Sequence, residues 1–143
     1  MDTFDERTGL ETLEEDACWD LLEANTVGRL AVVVGHQPDI FPVNYLVRDR
    51  ALVSRTAAGT KLAAAVLGAA VAFEIDAYDE AAKRGWSVVV HGRATEAETL
   101  EELLEAELLP LEPWVEAQKD RWITITPQEV TGRRIPVRVE RRT

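Results

Sequence analysis

The segment Ser54-Arg55-Thr56-Ala57-Ala58-Gly59-Thr60-Lys61-Leu62 gathers two cations and two threonine hydroxyls around one glycine. An apolar run precedes it and an alanine-rich run follows. The spacing predicts a strand that ends near Arg55 and a short helix over 59–68. A helix start offers amides without intrahelical partners and the positive end of a dipole. Arg55 and Lys61 would add charge, and Thr56 and Thr60 would add hydroxyl donors. A dianionic phosphate takes that mixture of charge and directed donors. The alternative is a surface loop whose cations pair with nearby acids.

Other residues with chemical potential are more scattered. Pro42-Val43-Asn44-Tyr45 sets a proline inside a predicted strand, which suggests an edge or a bulge. Backbone groups freed there could hydrogen-bond the edge of a planar ring, and Asn44 could add its amide. The competing reading is a bulged edge strand with a buried tyrosine. Trp86 and Trp122 stand at the starts of two late strands and could stack on a flat ligand. Tryptophans also close barrel ends and subunit contacts, which is the reading for Trp19 and Trp114. His36 reads as a turn residue and His91 as structural or interfacial, since neither has an aspartate at partner spacing. No histidine–cysteine–carboxylate cluster suggests a bound metal. No P-loop or G-x-S-x-G occurs. Nothing here supplies a nucleophile, so a bound cofactor would carry the chemistry.

The elements that must position these groups follow from periodicity. Thr12-Leu13-Glu14-Glu15 has the capping-box pattern, with a helix expected to about Asn25. Strands are expected over 27–34, 40–47, 51–55, 70–78, 85–94 and 121–126. Thr95-Glu96-Ala97-Glu98 repeats the capping box, before a helix with Leu100, Leu103, Leu104 and Leu108 in its period. The acidic stretch from Glu96 to Glu107 reads as a solvated helix face. In the 85–94 strand, Trp86, Val88, Val90 and Gly92 share one face, and Ser87, Val89, His91 and Arg93 share the other. Both faces are apolar near the middle, which predicts a central strand. Asp49-Arg50 is a tight connection that favours an antiparallel pair. Six strands with few helices suggest a mainly β protein, a small barrel with flanking helices.

The chain has 143 residues, 46% hydrophobic and 29% charged, with a formal charge of −10. That length suits one domain over 1–143, with 1–11 expected to be loose and 136–143 a tail. An acidic surface repels nucleic acid and anionic lipid. The longest apolar run is too short to span a bilayer. The acidic N-terminus lacks a signal pattern, which predicts a cytoplasmic protein. The lone Cys18 forms no intrachain disulfide and reads as a buried thiol.

In order along the chain, these pieces resemble a known family. Val27-Gly28-Arg29-Leu30-Ala31, Pro42-Val43-Asn44-Tyr45 and Arg55-Thr56-Ala57-Ala58-Gly59-Thr60-Lys61-Leu62 come first. Trp86-Ser87-Val88-Val89-Val90-His91-Gly92-Arg93-Ala94, Trp122-Ile123-Thr124-Ile125 and Thr131-Gly132-Arg133-Arg134 follow. Together they resemble the pyridoxamine 5'-phosphate oxidase-like, FMN-binding split-barrel proteins, in particular the small actinobacterial-type members. The resemblance implies a six-stranded antiparallel split β-barrel and a homodimer with two cofactor sites at its interface. It implies that Arg55, Thr56, Thr60 and Lys61 hold the FMN phosphate and ribityl chain. The backbone of Pro42, Val43, Asn44 and Tyr45 would line the isoalloxazine. Trp86 and Ser87 would come from a neighbouring strand or the other subunit, and Trp122 is a further candidate. A flavin-dependent oxidoreductase acting on a small molecule follows. The alternatives are a reductase that uses a deazaflavin coenzyme, or a flavin- or haem-binding protein without turnover. The substrate motifs of true pyridoxamine phosphate oxidases are absent, and Gly132-Arg133-Arg134 only loosely matches their C-terminal region.

Overall fold

The computed structural model describes residues 3–56, 69–97, 100–111 and 121–136. The expected helix over 59–68, with Thr60 and Lys61, lies outside the described residues, as do Trp114 and most of the 136–143 tail. Among the described residues the chain forms β1 (Thr3–Asp5), β2 (Leu10–Leu13), α1 (Glu15–Glu23), β3 (Val27–Val34), β4 (Gln37–Arg48) and β5 (Ala51–Thr56). Then come β6 (Ala70–Asp79), β7 (Arg84–Glu96), α2 (Leu100–Glu107) and β8 (Arg121–Arg134).

All pairings are antiparallel. The sheet runs β1-β2-β8-β5-β4-β3-β6-β7, and β7 pairs back onto β8. That last pairing closes six strands into a ring, the expected barrel. Alternation fills it from every wall. Leu30, Val32, Tyr45, Leu52, Phe73, Ile75, Val88, Val90, Ile123 and Ile125 are all buried in one cluster. β7 lies between β6 and β8, so the central-strand expectation holds. Close packing explains the glycine in Val27-Gly28-Arg29: a Cβ on Gly28 would sit 2.2 Å from the Phe73 ring.

α1 packs against the ring through Cys18, Trp19 and Leu22, all buried. A Cβ at Gly132 would meet the Cys18 sulfur at 2.6 Å, so the helix rests directly on the β8 backbone. The Tyr45 hydroxyl donates to the Leu22 carbonyl at 2.6 Å, and burial pushes its phenol pKa up. On the outside, α2 covers β5 and β8. Ala106 packs with Val53 and Trp122, and Leu109 joins them.

Several local expectations give way to pairing. Residues 1–11 are not loose throughout, because β1 pairs β2 and β2 pairs the end of β8. Thr12 and Thr95 cap no helix: each lies in a strand, opposite Arg133 and Thr124 respectively. Glu14 is the N-cap of α1, with no side-chain cap bond. A T-x-x-E pattern suits a strand end as well as a helix start, and the ladder partner decides between them. α2 stops at Glu107, which leaves Leu108 85% exposed rather than in an apolar stripe. β8 continues past Thr126 to Arg134 because β7 offers a partner along the whole length, Trp86 opposite Arg134. A bulge leaves Gln128 without a partner, between the His91–Glu129 and Gly92–Pro127 pairs.

Candidate functional site

The expected ring-edge residues lie where two strands part. The Tyr45 N–H donates to the Thr26 carbonyl at 3.0 Å. Backbone direction alternates along a strand. Odd positions of β4 therefore turn their polar groups to β3, and even positions turn theirs toward β5. Pro42 stands at an even position, where its missing N–H breaks no bond to β3. From Gln37 to Asn44 the described pairing of β4 is with β3 alone, and the β4–β5 register begins at Tyr45–Ser54. At the junction the Asn44 carbonyl accepts the Ser54 hydroxyl at 2.7 Å. Pro42 thus stands on an edge stretch, as its residue type suggests. Tyr45 and Val43 point inward and are buried. Their side chains belong to the core, and at these two positions only backbone is available to a ligand.

Arg55 and Thr56 lie across the gap on β5 and point to opposite faces. Thr56 is buried with the inward set. Arg55 turns outward, opposite Trp122 in the β5–β8 register. Its guanidinium lies 4.4 Å from the centroid of the Trp122 ring. Its Nη2 is 3.6 Å from Oε1 of Glu107, and the same oxygen accepts from Trp122 Nε1 at 3.1 Å. The Arg55 side chain is 22% exposed, and its Nε is buried without a hydrogen-bond partner among the described residues. Nearby cations are held otherwise. Arg121 meets both oxygens of Glu96 at 2.8 and 3.0 Å. Arg48 lies 3.7 Å from Glu105. A buried guanidinium donor without an acceptor is costly unless a ligand supplies one.

The structure therefore brings Pro42, Asn44, Arg55 and Trp122 to one flank of the barrel. It does not bring Trp86 and Ser87 there. In a ring of six, β7 stands three strands from β4, so their outer faces look in opposite directions. Ser87 lies on the outer face of β7. Trp86 leans toward α1, in a cleft of about 620 Å³ with Leu13, Ala17, Leu21 and Ile135. His36 is exposed in the β3–β4 turn and His91 is exposed on β7, both away from Arg55. Glu107 is the participant that sequence reading missed. It was assigned to a solvated acidic face, and no local spacing links it to Arg55 or Trp122. Among the described residues no group of three or more metal-type ligands gathers. No described helix is long and apolar enough to cross a membrane.

The comparisons with known proteins agree with this fold. The family model for pyridoxamine 5'-phosphate oxidase matches residues 14–134. An uncharacterised protein of Mycobacterium tuberculosis is 38% identical over 128 residues, covering 86% of this chain and 84% of that one. A solved FAD-binding protein from Mycobacterium smegmatis superposes with a TM-score of 0.74 at 38% identity, over 86% of this chain and 98% of its own. A Corynebacterium glutamicum structure, named as a candidate pyridoxamine 5'-phosphate oxidase, gives a TM-score of 0.79 at 35% identity, over 92% and 96% of the two chains. A match over most of the chain, and a barrel that parts between β4 and β5, lead to one conclusion: this chain belongs to the pyridoxamine 5'-phosphate oxidase-like family of flavin-binding split-barrel proteins.

Proposed function

We propose that this protein is a flavin-dependent oxidoreductase that acts on a small molecule as a homodimer, with FMN as its cofactor. The observation that carries the reading is the Arg55 guanidinium. It is stacked on Trp122, only loosely engaged by Glu107, and has a buried donor without an acceptor. A phosphate oxygen is the acceptor such a group lacks. Arg55 would hold the phosphate, joined by Thr60 and Lys61, while the Thr56 side chain faces the core. Backbone at Pro42–Tyr45 would fix the edge of the isoalloxazine and keep water from it. The bound flavin supplies hydride transfer, so the chain needs to bind, orient and desolvate rather than attack.

A homodimer would account for the two flanks. Ser87 lies on the outer face of β7, three strands round the ring from the Pro42–Tyr45 stretch of β4, so a second subunit would bring Trp86 and Ser87 to the cofactor. Two exposed apolar side chains, Val33 (60%) and Ile40 (66%), lie on the β3–β4 flank beside the site and suit a covered face.

A second reading, FAD in place of FMN, is favoured by the name of the M. smegmatis relative. A deazaflavin coenzyme also carries a phosphate on its tail. Titration of apo-protein with FMN, FAD, deazaflavin coenzyme and haem ranks them. Tightest binding of FMN, followed by reduction with a nicotinamide donor and turnover of an added electron acceptor, is the expected result. Failure to bind any flavin would overturn the reading, and reduction without turnover would make the protein a carrier.

A further inference from the structure

We infer that Glu107 regulates the phosphate end of the cofactor site: its carboxylate engages the Arg55 guanidinium and must yield when a phosphate binds there. This rests on the phosphate reading of Arg55 above.

One indole organises both partners. The face of Trp122 carries the Arg55 cation at 4.4 Å, and its N–H holds the Glu107 carboxylate at 3.1 Å. The carboxylate oxygen then stands 3.6 Å from Arg55 Nη2, longer than a hydrogen bond yet close enough to offset its charge. Glu107 is the last residue of α2, where the helix dipole opposes a negative charge. Its side chain is 60% exposed, so its own charge stays solvated if it swings into water. A cofactor phosphate approaching Arg55 brings further negative charge toward this carboxylate. The two anions compete for one cation, so Glu107 lowers the affinity for a phosphate-bearing ligand and leaves an uncharged ring system unaffected. A site of this design holds Arg55 on Trp122 and releases its cofactor readily.

The experiment is a set of fluorescence titrations of apo-protein with FMN and with riboflavin, which lacks the phosphate. The proteins are the native chain, Glu107→Gln, Glu107→Ala and Arg55→Ala, each checked by thermal melting. Both Glu107 variants should bind FMN about fivefold more tightly, the upper end for a partly exposed pair. Glu107→Gln keeps an acceptor for the Trp122 N–H and Glu107→Ala does not, so a gain common to both belongs to the charge. Riboflavin affinity should stay within the scatter of the native value. If Arg55→Ala weakens FMN while neither Glu107 variant tightens it, the competition is refuted and the phosphate reading stands. A riboflavin gain equal to the FMN gain refutes it as well. If Arg55→Ala leaves FMN affinity unchanged, the phosphate reading fails and the role of Glu107 fails with it.

Discussion

Two arginines on the same hairpin arm make the same kind of trio, an arginine over a tryptophan beside a carboxylate, with opposite outcomes. Arg50, at the β4–β5 turn, reaches α1. Its Nη2 lies 2.7 Å from Asp16 Oδ1, and its guanidinium is 5.6 Å from the Trp19 centroid. The hydrogen bond to Asp16 raises its pKa. This arginine has its acceptor and sits among exposed groups, so it clips the hairpin to the helix. Arg55 stacks closer to its ring, is largely buried, and has its carboxylate at 3.6 Å with Nε unsatisfied. Packing against an indole is common to both. What separates a structural clip from a candidate binding group is whether the polar atoms are already satisfied.

The sharpest way to break this comparison is ligand binding. Arg55→Ala should weaken FMN by about 1.5–3 kcal/mol, the worth of a charge-assisted hydrogen bond. Arg50→Ala should leave the affinity unchanged, and calorimetric titration of both variants measures the contrast. Equal losses would show that position on the hairpin, rather than unmet bonding, governs binding. Next in size is Tyr45→Phe. It deletes the buried bond to the Leu22 carbonyl and should cost about 1 kcal/mol in urea unfolding, with FMN affinity retained. That outcome would separate the Tyr45 side chain, a core group, from the backbone beside it.

A third charged trio supplies a smaller effect. Arg29 Nη1 lies 3.2 Å from Glu74 and 3.1 Å from Asp76. Desolvation, then the neighbouring Asp76, raises the Glu74 pKa. Between the ordinary carboxylate range and that raised value, the folded chain binds more protons than the unfolded one. Stability therefore rises as pH falls through that window. Melting temperatures of Glu74→Gln and the native chain should differ most at neutral pH and converge once Glu74 is protonated. The smallest effect belongs to Arg50→Ala on stability: an exposed clip lost, with a shift in melting temperature that salt screening removes.

Much of the barrel was legible because strands announce themselves by a period of two. The six expected ring strands are all present, and the Asp49-Arg50 turn forms with both residues at positive φ, 50° and 53°, as a two-residue antiparallel hairpin requires. Pro42 at an edge stretch and Cys18 as a buried thiol were also readable from residue type. Thr12 and Thr95 were not. Each has a plausible cap partner three residues on, and the pairing that overrides it comes from far along the chain. The extent of β8 escaped for the same reason, since its second half exists because β7 is there to bond it. Within the candidate site, Arg55 and Asn44 stand out by residue type, while Trp122, expected to stack on a ligand, is buried beneath Arg55, and Thr56 faces the core.

By itself the sequence determined that this is a mainly β chain, that its cations near 55–61 stand out against an acidic whole, and that Pro42 marks an unusual strand. Those properties are local, written in spacing and in what each side chain can bond. Only the tertiary structure decided that Arg55 lies on Trp122 and shares it with Glu107, and that Ser87 faces the other way. Ring closure sets which outer faces meet, and closure depends on ladder bonds between residues that no local pattern connects.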